Sequence, residues 1–278
     1  MELETNENTK KKLIENGADY VGSAASAGVG AAIGGTLAGL PGAVLGSLAG
    51  TAVEKAIQAI GAEISSRALS QSETRKVETV YTLAKKFIAE NLNNNKKLRE
   101  DDFFDEKING RSSAEEILEG TLLVAQREYE ERKLKYLAKL YANIAFSTDI
   151  TAPTASFLIK LAEKMTYRQI MILHCVDIAK YSPFPMPLRK EAYRSVSGLT
   201  NVAIASEIFD LYRSSILMSS EVILDSAGIN PSALSIGGYG THLCNLMKLN
   251  NNSCADSDEA AICADILAFL TEGTVVKI

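Results

Sequence analysis

At 278 residues the chain is long enough for one or two domains of about 150 residues each. A net charge of -5 and a pI near 5.3 exclude a general nucleic-acid binder, because affinity for phosphate comes mainly from clustered Lys and Arg. The four cysteines, Cys175, Cys244, Cys254 and Cys263, are too few and too far apart for a disulfide framework, which fits a reducing cytoplasm.

Residues 1–19 read as a polar arm. Acidic residues and the triplet Lys10-Lys11-Lys12 are interspersed there, with neither the apolar core nor the cleavage site of a secretory leader. Tyr20 to Val53 then contains no Asp, Glu, Lys, Arg or His and is built mostly from Gly, Ala, Ser, Val, Leu and Ile. Small residues recur at every fourth position, Gly22, Ser26, Gly30, Gly34, Ala38, Gly42, Gly46 and Gly50. On a helix this makes a stripe with almost no side chain, along which two backbones can touch. Each interior Gly costs about 1 kcal/mol relative to Ala, and small-xxx-small packing in a membrane is the best-attested compensation.

Pro41 divides the stretch, since proline lacks the N–H and favours the start of a new helix. The expected hairpin therefore has helices over about Asp19 to Ala38 and Pro41 to Arg67. Each uncharged arm is near the lower limit of the roughly 17 to 25 residues that cross a bilayer, and Glu54 and Lys55 arrive early in the second. Ala and Gly also favour insertion less than Leu, Ile or Phe, so the hairpin is expected to insert weakly, conditionally or as an oligomer. Basic residues on both flanks, Lys10 to Lys12 and then Lys55, Arg67, Arg75 and Lys76, place both ends on the cytoplasmic side. The competing reading is a Gly/Ala-rich helical pair buried in a soluble protein.

From Ser70 to Leu92 the pattern is an amphipathic helix, with Val77, Val80, Tyr81, Ala84, Phe87, Ile88 and Leu92 on one face. Lys96 to Arg111 is a charged connector whose Phe103 and Phe104 dock on the body. Its five acids between Glu100 and Glu106 lack the alternating ligands and central Gly of a calcium loop. Ser113 and Glu116 predict a capping box, opening a helix to Phe146 with Ile117, Thr121, Val124, Leu134, Leu137, Leu140, Tyr141 and Ile144 inside. The charges from Arg127 to Lys139 read as its solvated face. Thr151-Ala-Pro starts a further short helix.

Beyond Met165 the order is helix (Thr166–Lys180), Pro-rich turn (Pro183, Pro185, Pro187), helix (Leu188–Ser197), helix (Asn201–Leu217) and a strand-like Ile216–Leu224. Leu234-Ser-Ile-Gly-Gly-Tyr-Gly240 then leads to a helix over Thr241–Leu249. This region resembles bacterial winged-helix proteins at the junction of wing and last helix. Its third helix offers bases only Arg213 against Glu207 and Asp210, so DNA reading is disfavoured. The fold expected is mainly α: polar arm 1–19, Gly/Ala-rich helical hairpin 20–67, helical body 68–164, and a winged-helix-like domain with a small β-hairpin and C-terminal helix, 165–278.

No enzyme chemistry is expected. His174 and His242 stand beside Cys175 and Cys244 without zinc-site spacing. Gly28-Val-Gly-Ala-Ala-Ile-Gly34 misses the dinucleotide fingerprint, and no phosphate loop, triad or paired-acid site occurs, so no metal, cofactor or catalytic residue is assigned. The zipper from Gly30 to Gly50, the run Glu128-Tyr-Glu-Glu-Arg-Lys-Leu-Lys-Tyr-Leu137 and Met165-Thr-Tyr-Arg-Gln-Ile170 together resemble uncharacterised bacterial proteins that join a glycine-zipper hairpin to a helical body. That resemblance implies a membrane-perturbing role in defence or self-intoxication. The expected partners are a lipid bilayer, further copies of the chain and a protein bound by the helical body, at the inner membrane or in the cytoplasm before insertion. The alternative is a soluble winged-helix adaptor with a Gly/Ala-rich oligomerisation arm. The body from Ser70 to Ile278 is expected to fold without Gly22 to Val53.

Overall fold

The computed structural model describes residues 48, 50–108, 110–251 and 257–271. The chain divides into two compact units, Met1–Lys164 and Met165–Ile278. Among the described residues the fold is mainly helical, with nine α-helices and one two-stranded sheet.

In the first unit five helices follow one another: α1 (Ala52–Ser65), α2 (Gln71–Asn93), α3 (Ser113–Arg127), α4 (Leu134–Ile144) and α5 (Ala152–Lys164). The short α4 sits at the centre, packed on α2, α3 and α5, and Tyr136, Leu137, Leu140, Tyr141 and Ile144 are all fully buried. Val80 and Ile88 of α2 and Leu118 and Leu122 of α3 complete the core. Local chemistry sets the starts. Ser70 and Glu73 form a capping box at α2, each satisfying an N–H that the helix leaves free.

The box at α3 lies one residue before the expected one. Ser112 and Glu115 form it, while the Ser113 hydroxyl is buried and receives the Lys107 ammonium. The expected single helix from Ser113 to Phe146 is two. Glu128 leaves the helix in extended conformation, its Oε1 accepting the N–H groups of Tyr129 and Glu130 at 2.9 Å each. Its other oxygen pairs with Lys133, whose ammonium also donates to the Glu163 carbonyl at 3.1 Å. Both side chains are buried, so two members of the supposed solvated face hold the break from inside.

The second arm of the expected hairpin, Pro41 to Arg67, is interrupted as well. Gly50 has φ +77, Thr51 is extended with ψ 155, and α1 begins only at Ala52. Thr51 Oγ1 accepts from the Glu54 N–H at 3.2 Å while the Glu54 carboxylate accepts from the Gly50 N–H at 2.7 Å, which makes a helix start. No helix among the described residues is long and apolar enough to cross a membrane.

The second unit contains α6 (Tyr167–Tyr181), α7 (Leu199–Arg213), β1 (Leu217–Ser219), β2 (Leu234–Ile236), α8 (Tyr239–Met247) and α9 (Ser257–Leu270). The strands pair antiparallel, Met218 opposite Ser235. The helix expected over Leu188–Ser197 is absent. Leu188 instead bridges Thr271, the Arg189 N–H donates to Leu270 O at 3.0 Å, and Tyr193 stacks on Phe269 at 4.3 Å. These partners are distant in sequence, and they hold the segment out of helix beside the end of α9. The expected strand shortens to three residues, followed by a long connection with turns at Ser226–Gly228 and Pro231–Ala233. Glycine is required at 240: a Cβ there would lie 2.0 Å from the carbonyl oxygen of Ile216.

Candidate anchoring site at the entry of the uncharged stretch

Val53, Ala56, Ile57, Ile60 and Ile64 recur at helical spacing and give α1 one apolar face, buried on the body. That face rests against α3 and the turn Asp102–Phe104, where Phe103 is buried as expected. The Tyr81 hydroxyl of α2 donates to the carbonyl of Ile57 at 3.1 Å. At the far end of α1, Arg67 bonds Glu63 and Glu119, and Arg111 bonds Glu119 at 2.8 Å. Burial works against ionising Glu119, but hydrogen bonds from Arg67 and Arg111 hold its carboxyl below the usual range. The helix that directly follows the uncharged stretch is thus capped at its start, tied at its end and packed along its length.

The first unit also buries ionisable groups. Glu78 is 1% exposed and neither carboxylate oxygen has a hydrogen-bond partner, so burial raises its pKa. Burial likewise lowers the pKa of Lys85, with Glu54 acting in the opposite sense. Arg99, also buried, donates to the carbonyls of Ile150 at 2.8 Å and Ile144 at 3.3 Å and pairs with Asp101. One carboxylate of the acidic run, that of Asp101, therefore serves a structural guanidinium. None of these charges interrupts the apolar spacing, so no pattern in the sequence marks them as buried.

Of the eight stripe residues, Gly22, Ser26, Gly30, Gly34, Ala38, Gly42 and Gly46 lie outside the described residues. Gly50 occupies the turn before α1 with open space where a Cβ would stand, so it belongs to the cap and not to a helical stripe. His174 is fully buried with Nδ1 2.8 Å from the Leu249 carbonyl oxygen, and no group of three His, Cys, Asp or Glu among the described residues is placed to hold a metal. Cys175, Cys244 and Cys263 are buried, and burial pushes the Cys244 thiol up to about 12. No family model matches the chain, and no match was found among curated proteins or solved structures.

Proposed function

We propose that the chain is a membrane-associating helical protein whose uncharged stretch engages lipid and packs against other copies, with the helical body as its handle. The observation that carries this reading is the junction: a stretch free of charge from Tyr20 onward runs into a helix that is capped, tied and buried on the body. Pro41 to Thr51 extends at most about 16 Å as a helix, roughly half of a 30 Å hydrocarbon core. A spanning second arm does not fit that length. Shallow insertion from the cytoplasmic leaflet does, with both flanks on one side and contact between copies compensating for glycine. The resemblance to zipper proteins directs the reading toward membrane perturbation in defence or self-intoxication.

The test is sedimentation and crosslinking of the full chain with anionic vesicles, comparing Gly46→Leu and Leu45→Ile. Gly46→Leu should stay vesicle-bound, being more hydrophobic, yet lose oligomers and any growth inhibition, while Leu45→Ile keeps both. Full-length protein that remains monomeric in the supernatant sinks the reading.

A second reading, a soluble winged-helix adaptor, draws on the β1–β2 hairpin followed by α8. Its α7 exposes Leu199 and Val202, and Arg213 is its one cation, placed over the Phe209 ring at 5.9 Å. Such a surface suits a protein partner better than DNA. Supernatant protein that forms discrete oligomers without lipid would favour this reading.

A further inference from the structure

Among the described residues β2 has one strand neighbour, β1, and its outer edge is met by side chains. The Leu234 carbonyl receives the Lys180 ammonium, which also donates to Ser232 O at 2.9 Å, and the Ile236 N–H donates to the Tyr181 hydroxyl at 3.3 Å. An exposed edge ordinarily invites another strand, and here two side chains from the end of α6 stand in for one. Beside them the chain doubles back: the Met186 N–H donates to Ala179 O at 2.8 Å, and Pro183, Pro185 and Pro187 keep the return extended. Between this return and the end of α6 is a cleft of about 540 Å³, lined among others by Lys180, Pro185, Met186, Leu188, Lys190 and Ser232.

That volume lies within the usual range for a ligand site. Its wall is aliphatic with two ammonium groups and no carboxylate. Lys190 makes no hydrogen bond or ion pair with a described residue, and Phe184, in the same return, is 87% exposed. We propose that this cleft binds an extended acidic segment of a partner protein, which adds to β2 as a third strand. Its N–H groups take the carbonyls that Lys180 now occupies, and its carboxylates pair with Lys180 and Lys190. Backbone bonds supply the affinity of strand addition and alternate side chains its specificity. Burial lowers the pKa of Lys180, so an incoming carboxylate offsets a cost already present.

The test uses the full chain and a fluorescein-labelled, end-blocked Val-Glu-Val-Glu-Val peptide in an anisotropy titration, beside its Val-Lys counterpart. The acidic peptide should saturate and the basic one should not. Lys190→Glu should weaken binding by about tenfold or more through repulsion while leaving the melting temperature unchanged. Methylating alternate peptide nitrogens should abolish binding, which a purely ionic contact would survive. Equal binding by the methylated peptide, or by Lys190→Glu, overturns the proposal. So does a cleft that takes no peptide until residues 272–278 are removed, which would assign it to the chain itself.

Discussion

The Tyr81 hydroxyl occupies the space that a side chain at position 61 would need: it donates to Ile57 O at 3.1 Å, and a Cβ on Gly61 would lie 2.5 Å from its oxygen. The glycine in α1 is therefore matched to the phenol in α2. Gly61→Ala should destabilise the first unit by about 1 to 3 kcal/mol through overpacking, despite the better helix propensity of Ala. Tyr81→Phe should cost about 1 kcal/mol by removing the bond. The double variant should cost less than the sum, because the phenyl ring lacks the atom in closest conflict. Urea denaturation of all four proteins measures the coupling, and strict additivity would contradict the match.

Glu78 gives the first unit a pH dependence of definite sign. Its folded pKa is raised, so between the unfolded value near 4.5 and that raised value the folded state holds more protons, and stability falls as pH rises through this window. Glu78→Met removes an unpartnered buried carboxylate and should stabilise by about 1 to 3 kcal/mol at neutral pH. The gap in melting temperature between variant and parent should widen from pH 4.5 to pH 8. A gap that stays flat would show that Glu78 has the same pKa folded and unfolded, and would contradict the raised value.

Glu128 and Lys133 form a buried pair with further backbone bonds, so removing one partner leaves the other charge uncompensated. Lys133→Met alone should cost about 3 to 5 kcal/mol. Glu128→Gln with Lys133→Met should recover most of that loss, since the glutamine oxygen still accepts from Tyr129 and Glu130. Denaturant midpoints decide, and a double variant as unstable as the single one would argue against a paired role.

Truncation separates the uncharged stretch from the body. A chain beginning at Leu48 retains α1 and its cap and should melt cooperatively. One beginning at Ser70, expected from periodicity alone to be self-sufficient, loses Val53, Ile57, Ile60 and Ile64, each buried. At about 1.5 to 3 kcal/mol per side chain, that loss rivals the 5 to 15 kcal/mol holding a typical domain. Calorimetry of the two chains should show a sharp transition of the first unit only in the chain beginning at Leu48, with the second unit melting in both.

These outcomes follow which signals were local. The α2 face and the docking of Phe103 are written in short spacings, and the structure repeats them. The break at Glu128 has one local signal that the expected single helix passes over: at 3.6 residues per turn Leu137 and Tyr141 lie about 200° round from Ile117 and Thr121, while the run of charges between them looks the same whether solvated or buried. Leu188 to Ser197 misled for a different reason. Its register is set by Thr271 and Phe269, and no local propensity reports a partner so far along the chain. The Gly50–Thr51 start was visible in principle, since Thr51 and Glu54 have cap spacing, but the small-residue stripe ran through it.

The buried thiols of the second unit make that half of the molecule chemically quiet. With its pKa pushed up to about 12 by burial, Cys244 stays a thiol at neutral pH. Cys175 and Cys263 are equally shut away from solvent. Oxidants and alkylating reagents therefore reach these sulfurs only when the fold opens, and in a Cys254→Ser chain the rate of modification becomes a clock for that opening.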